Sequence, residues 1–195
     1  MTATARPVLT TERVELRPMT SEHLELLVPL DADREVMRYL RPWPRTRAEV
    51  EEFWGPRCAD QAADAVGLGY WVGFDRADGD FLGWWDLSPA APVVAPVLAA
   101  ELGYRLHRRH WGRGLATEGA EALLAHGFDT EIDAALGSAW AETMAINLGS
   151  RAVMAKLGLR HVRTDLREHE HRLPGADEGD VVYEITREEW LARTR

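Results

Sequence analysis

The sequence predicts a mixed α/β fold, a domain built around one central sheet with helices flanking it. Three observations predict it. Segments with the two-residue period of a strand alternate along the chain with segments of helical period. Two aromatic, β-rich runs are joined by a step that favours a tight hairpin. The 195 residues, 46% of them hydrophobic, are enough for one sizeable core. No internal repeat or Pro/Gly/Ser-rich linker divides them, so residues 1–195 are expected to form one domain.

Each element has its own local reason. Val14 and Leu16 alternate with Glu15 and Arg17 before Pro18, which predicts a half-buried first strand over 13–17. A helix is expected after Thr20 or Ser21, with Leu24, Leu27 and Val28 at helical spacing, then a short one over 33–40 closed by Pro42 and Pro44. Thr46 followed by Arg47-Ala48-Glu49-Val50 reads as a capped N-terminus, so a helix should run from there toward Ala63, ended by Gly67 and Gly69. Tyr70 to Phe74 and Phe81 to Leu87 form the hairpin, with Asp78-Gly79 in its turn. After a loop broken by Pro92 and Pro96, Leu102, Tyr104 and Leu106 alternate with Glu101, Gly103 and Arg105 in another strand. A helix over 115–128, a strand over 138–143 and a helix over 149–157 stopped by Gly158 follow, and a last strand spans 181–185 after the polar loop 167–180.

Charge and cysteine content exclude several functions. Twenty-three basic against 32 acidic residues leave a net charge of −9, with pI near 5.3, so no overall basic field exists to hold nucleic acid. One cysteine, Cys58, rules out an intramolecular disulfide and fits a reducing, cytoplasmic setting. No charged start followed by an apolar run, and no apolar stretch of about 18 residues, points to secretion or a membrane span. His161, His169 and His171, with Glu170 between the last two, lack the helical spacing of a metal site, so no metal is expected.

The informative segment is His107-Arg108-Arg109-His110-Trp111-Gly112-Arg113-Gly114-Leu115-Ala116-Thr117-Glu118, between a strand and a helix. Gly112 and Gly114 permit conformations that turn successive N–H groups toward one point, and the helix start adds unpaired N–H groups and a positive dipole end. A pyrophosphate suits such a cradle. The nucleotide-triphosphatase loop needs Gly-Lys-Ser/Thr, and the dinucleotide fingerprint needs three glycines after a first parallel strand, so neither matches.

Arg109 to Glu118 resembles the acetyl-CoA-binding motif of the GNAT N-acetyltransferases, Arg/Gln-x-x-Gly-x-Gly/Ala. The likeness continues through Glu101-Leu102-Gly103-Tyr104, through Asn147-Leu148-Gly149-Ser150 to Leu157-Gly158-Leu159, and through Val182 to Trp190. It covers essentially the whole chain and looks closest to the branch of RimJ- and RimL-type ribosomal-protein acetyltransferases. The resemblance implies a GNAT-like domain with a central mixed, mostly antiparallel sheet, acetyl-CoA as cosubstrate, and a possible homodimer. It also implies that Tyr104, Arg105 and Leu106 hold the pantetheine arm. Arg109, His110, Trp111, Gly112, Arg113 and Gly114 would hold the pyrophosphate, with Leu115 and Ala116 beside it. Asn147 and Ser150 match positions near the cofactor's amide and sulfur, where a hydroxyl could protonate the departing thiolate.

Acyl transfer also needs a neutral amine, and Glu101, at the family's acidic strand position, is the candidate base. Backbone N–H groups of a splayed strand would stabilise the oxyanion. Many members carry a tyrosine acid seven residues after the asparagine; Met154 stands there, leaving Ser150 or water as the proton source. Trp84 and Trp85 are adjacent in a strand and must face opposite ways, so one is a candidate for the acceptor pocket. The expected activity is acetyl transfer to a primary amine, first a protein or peptide N-terminus, second a small molecule. The alternative is a sensor that holds acyl-CoA without turnover.

Overall fold

The computed structural model describes residues 6–59, 64–94, 97–129, 136–167 and 173–193. Its strands are β1 (Leu9–Thr10), β2 (Val14–Pro18), β3 (Gly69–Asp75), β4 (Phe81–Ala90), β5 (Ala99–Leu106), β6 (Ser138–Met144), β7 (Arg160–Asp165) and β8 (Asp180–Thr186). The helices are α1 (Leu24–Ala32), α2 (Arg34–Met37), α3 (Arg47–Cys58), α4 (Leu115–Gly127), α5 (Leu148–Lys156) and α6 (Arg187–Arg193). The strands form one mixed sheet in the order β1-β2-β3-β4-β5-β6-β8-β7. Every neighbouring pair is antiparallel except β5 with β6.

That exception shapes the molecule. The parallel ladder joins Ala99 to Ser138, Ala100 to Ala139 and Glu101 to Trp140, and then stops. β5 continues to Leu106, still paired with β4 through Gly83, while β6 continues to Met144 paired with β8. Past Glu101 the two strands therefore part, and the edge of β5 that faced β6 loses its ladder. Backbone groups on such an edge need other partners, so the opening is a place for a ligand with amides of its own.

Alternation along β4 and β5 divides the side chains between two cores. Trp85, Leu87, Leu102 and Leu106 pack with Leu115, Leu123 and Leu124 of α4. On the opposite face Trp84 and Val72 pack with Leu27 and Leu30 of α1 and Trp54 of α3. Thr46 caps α3 as its sequence predicts: its Oγ1 accepts from the Glu49 N–H at 3.3 Å, and its own N–H donates to the Glu49 carboxylate at 2.7 Å. The 76–79 turn closes with the Gly79 N–H on the Asp75 carbonyl at 2.8 Å. The helix expected to reach Ala63 ends at Cys58, and Ala63 lies outside the described residues.

Three elements have no counterpart in the expectations. β1 is only two residues long. β7, Arg-His-Val-Arg-Thr-Asp, is an outer strand paired only with β8 and largely exposed, so it needs no apolar face and shows no alternation. α6 is a seven-residue helix that buries one large side chain, Trp190, against Phe128 at 6.0 Å between ring centroids.

Candidate active site

The cradle forms where β5 leaves the sheet. A short 3-10 turn at Arg108–His110 leads to Gly112 at φ 72° and Gly114 at φ 81°, and α4 begins directly after. Positive φ at both glycines lets the chain turn tightly, and Gly114 at the N-cap has no side chain with which to cap the first N–H groups of α4. Those groups and the helix dipole are left for an anion.

The basic side chains of this loop act differently from the glycines. The Arg109 guanidinium pairs with the Asp80 carboxylate at 2.9 Å, and the buried His110 ring lies 3.3 Å from the same group. Arg113 reaches Asp75 at 3.4 Å and the His110 Nδ1 at 3.1 Å. All three are thus directed to the β3–β4 hairpin, where they fix the loop. Burial and then Arg109 push His110 below the usual histidine range, so it is neutral near pH 7. The Arg13 guanidinium donates to the Arg113 carbonyl at 2.9 Å and pairs with Glu118 at 2.6 Å, tying β2 to the start of α4. Trp111 is exposed, its Nε1 donating to the Leu106 carbonyl at 2.8 Å, with the Arg38 guanidinium 5.7 Å from its ring centre. Leu115 is buried in the core, and the Ala116 carbonyl accepts from Trp85 Nε1 at 3.1 Å.

Across the opening, α5 follows β6 and carries Ser150 in its first turn. The Asn147 side chain caps this helix, its Oδ1 accepting from the Ser150 N–H at 3.3 Å while its Nδ2 donates to Thr143 Oγ1 at 2.9 Å. The Ser150 hydroxyl meets the Tyr104 hydroxyl at 3.0 Å, and the Tyr104 hydroxyl also donates to the Ser150 carbonyl at 3.1 Å. Burial pushes the Tyr104 phenol up to about 12. Met154 packs in the core.

The face toward α1 and α3 is polar where β4 and β5 run together. Register places Trp84 opposite Arg105, Asp86 opposite Gly103, and Ser88 opposite Glu101. Asp86 is buried and accepts from Ser88 Oγ at 3.0 Å. A Cβ on Gly103 would overlap its Oδ1, so glycine there leaves room for the carboxyl against β5. Burial, reinforced by the charge of Glu101, pushes Asp86 up to about 8. Glu101, which reaches solvent at the end of the parallel ladder, is also raised, by partial desolvation and by Glu142, with Arg167 acting in the opposite sense. Arg167 is itself held on Glu142 at 2.6 Å and 2.7 Å.

The Arg105 side chain turns away from the cofactor edge. It pairs with the fully buried Asp31 carboxylate, which also takes Arg45 at 2.9 Å and Trp54 Nε1 at 2.9 Å. Its guanidinium lies over Trp84 at 5.0 Å. Any contact of Arg105 or Leu106 with a pantetheine arm falls to the backbone, since Leu106 packs in the core. Trp85 is fully buried on the α4 side, away from the polar face, and Trp84 is the indole on that face. His161 Nε2 meets Thr164 Oγ1 at 3.1 Å, while His169, Glu170 and His171 lie outside the described residues.

Residues 13–160 match the acetyltransferase (GNAT) domain family. The chain belongs to this family. It is an acetyltransferase. The chain is 41% identical over 198 residues to the FsC-acetyl coenzyme A-N(2)-transacetylase of Aspergillus fumigatus, covering 98% of this chain and 81% of the relative. It resembles the spermidine N-acetyltransferase of Vibrio cholerae, solved with CoA and spermine, at a TM-score of 0.73 and 17% identity, covering 93% of this chain and 99% of that one. It also resembles RimL, the ribosomal L7/L12 α-N-protein acetyltransferase, at a TM-score of 0.70 and 19% identity, covering 93% and 97%.

In this GNAT enzyme the sequence reading missed Asp86 and Asp31. A signal existed for both. Asp86 interrupts the apolar run Phe81 to Leu87, and Asp31 follows Leu27 and Leu30 on a helix, so each puts a carboxyl where the pattern demands a buried side chain.

Proposed function

We propose that this GNAT enzyme transfers the acetyl group of acetyl-CoA directly to the α-amino nitrogen of a small, amino-acid-derived molecule. The observation that carries the reading is the pair of carboxyls, Glu101 and Asp86, on one face of the sheet beside the open edge of β5. An acceptor amine arrives largely as its ammonium form and must lose a proton before its lone pair can attack. The Glu101 carboxylate attracts that cation and, made more basic by its surroundings, takes the proton, while the neighbouring Asp86 carboxyl stays protonated near neutral pH and accepts or donates hydrogen bonds. Attack forms the C–N bond and moves the carbonyl pair onto oxygen, where N–H groups on the open edge of β5 would stabilise it. Collapse breaks the C–S bond with its pair on sulfur, the Ser150 hydroxyl passes its proton to that sulfur, and the second nitrogen proton returns through solvent to the Ser150 oxygen. Over the whole reaction nitrogen loses two protons, sulfur gains one, and one leaves to solvent by way of Glu101.

The relative's name specifies acetyl coenzyme A and an N(2) nitrogen, and N(2) would be the α-amino nitrogen of an amino-acid-derived acceptor, which is in keeping with the small-molecule reading. RimL, at 19% identity, speaks for the fold alone, so a peptide N-terminus becomes the second choice. A sensor without turnover would have no use for Glu101 and Ser150 on either side of the opening. The test is thiol release from acetyl-CoA with a panel of α-amino compounds substituted at the side chain and carboxyl, beside peptides with free N-termini. Faster release with the small α-amines is expected, and faster release with the peptides would overturn the assignment.

A further inference from the structure

Tyr104 and Ser150 come from opposite sides of the opening, Tyr104 from β5 and Ser150 from the helix that follows β6, and their hydroxyls meet at 3.0 Å. We propose that Tyr104 is a positioning residue, holding the Ser150 hydroxyl as a donor toward the sulfur that leaves acetyl-CoA. The inference rests on the reading of Ser150 given above and adds the group through which that serine is oriented.

The hydrogen-bond count carries it. A phenol has one hydrogen, and so has a serine hydroxyl. In one arrangement the Tyr104 hydrogen goes to the Ser150 carbonyl, at 3.1 Å, and the serine hydrogen goes back to the phenol oxygen. In the other the Tyr104 hydrogen goes to Ser150 Oγ, and the serine hydrogen is free for a third group. Neither arrangement leaves a hydroxyl hydrogen without an acceptor, provided a third acceptor exists in the second. A thiolate forming in the opening is such an acceptor, and its charge selects the second arrangement. Only O–H rotations are required, with no movement of backbone or ring.

Two further observations fix the role as positioning. Burial keeps the Tyr104 phenol protonated across the working pH range, so it serves as a standing donor to the Ser150 oxygen that it touches. The Ser150 backbone is held independently, its N–H on Asn147 Oδ1 at 3.3 Å, so the hydroxyl rotor is the part left for Tyr104 to set. The place seven residues after Asn147, where the resemblance would put a tyrosine acid, holds the buried Met154. A tyrosine hydroxyl thus reaches the first turn of α5 from the sheet instead of from the helix.

The test is a double-mutant cycle of Y104F and S150A, reading kcat, the KM for acetyl-CoA and the Kd for CoA. Y104F should lower kcat about tenfold, the upper range for one hydrogen bond, with CoA binding changed less than about twofold. In the S150A background Y104F should have no further effect on kcat. Additive losses would mean that Tyr104 acts independently of Ser150 and would overturn the proposal, as would a loss explained by weaker CoA binding. If S150A keeps the wild-type kcat while Y104F does not, the reading of Ser150 fails and the proposal fails with it. If S150A is slow but Y104F is not, the proposal alone fails. Should Y104F not fold, S150T serves: by keeping the hydroxyl it should retain kcat within about threefold of wild type, and an S150T as slow as S150A would count against Tyr104.

Discussion

Asp86 shows how one side chain couples the site to stability. Its carboxyl is pushed up to about 8 in the folded protein, whereas the unfolded chain releases that proton near 4. Between those values the folded state holds a proton the unfolded state has lost, so this group's stability contribution is complete below pH 4, declines as pH rises toward 8, and is level above. D86N cannot titrate. Its melting temperature relative to wild type should therefore improve from pH 5 to pH 8, by an amount on the order of a few kcal/mol in ΔG; an equal difference at both pH values would contradict the burial argument. At this scale the sequence was readable where chemistry follows from local spacing. Gly112, Gly114 and the start of α4 stand as the pattern predicts, because a loop between strand and helix depends on neighbours in the chain. Spacing does not reveal that the side chains of Arg109, His110 and Arg113 meet Asp80 and Asp75, because the approach of those carboxylates is set by a hairpin about thirty residues away in the chain.

At the scale of elements, the opening between β5 and β6 positions everything else, and the Asp31 cluster holds the acceptor side to it. Asp31 near the end of α1 binds Arg105 of β5, Arg45 just before α3, and Trp54 within α3. Removing the buried carboxylate in D31A leaves two arginines facing each other in a low-dielectric space, which should cost about 3–5 kcal/mol. Chemical denaturation would measure it, and a loss below about 1 kcal/mol would mean that solvent, not Asp31, balances those charges. β2 and β5 were legible from alternation, and β4, buried on both faces over Phe81–Leu87, from its aromatic, β-rich run. β7 was not, because an exposed outer strand has no face to bury. Nor could spacing alone reveal that β5 and β6 run parallel for only three residue pairs, since register is a property of two distant segments.

For the whole molecule, the sheet sets out one arrangement: the glycine loop and the start of α4 at one end of β5, an open edge along it, and the Glu101 carboxyl at the other end. A net charge of −9 is compatible with a cationic acceptor, and at the site itself Glu101 is the carboxylate left to face it, since Asp86 keeps its proton near neutral pH and Glu142 is paired with Arg167. The central claim is that a carboxylate where the parallel ladder ends deprotonates the amine that takes the acetyl group. Acceptor-dependent thiol release by wild type and E101Q, with CoA affinity titrated in the same preparations, tests it most directly. Turnover should fall about a hundredfold in E101Q while CoA binds as before. An E101Q enzyme that matches wild type at every pH would place the base elsewhere and contradict the claim.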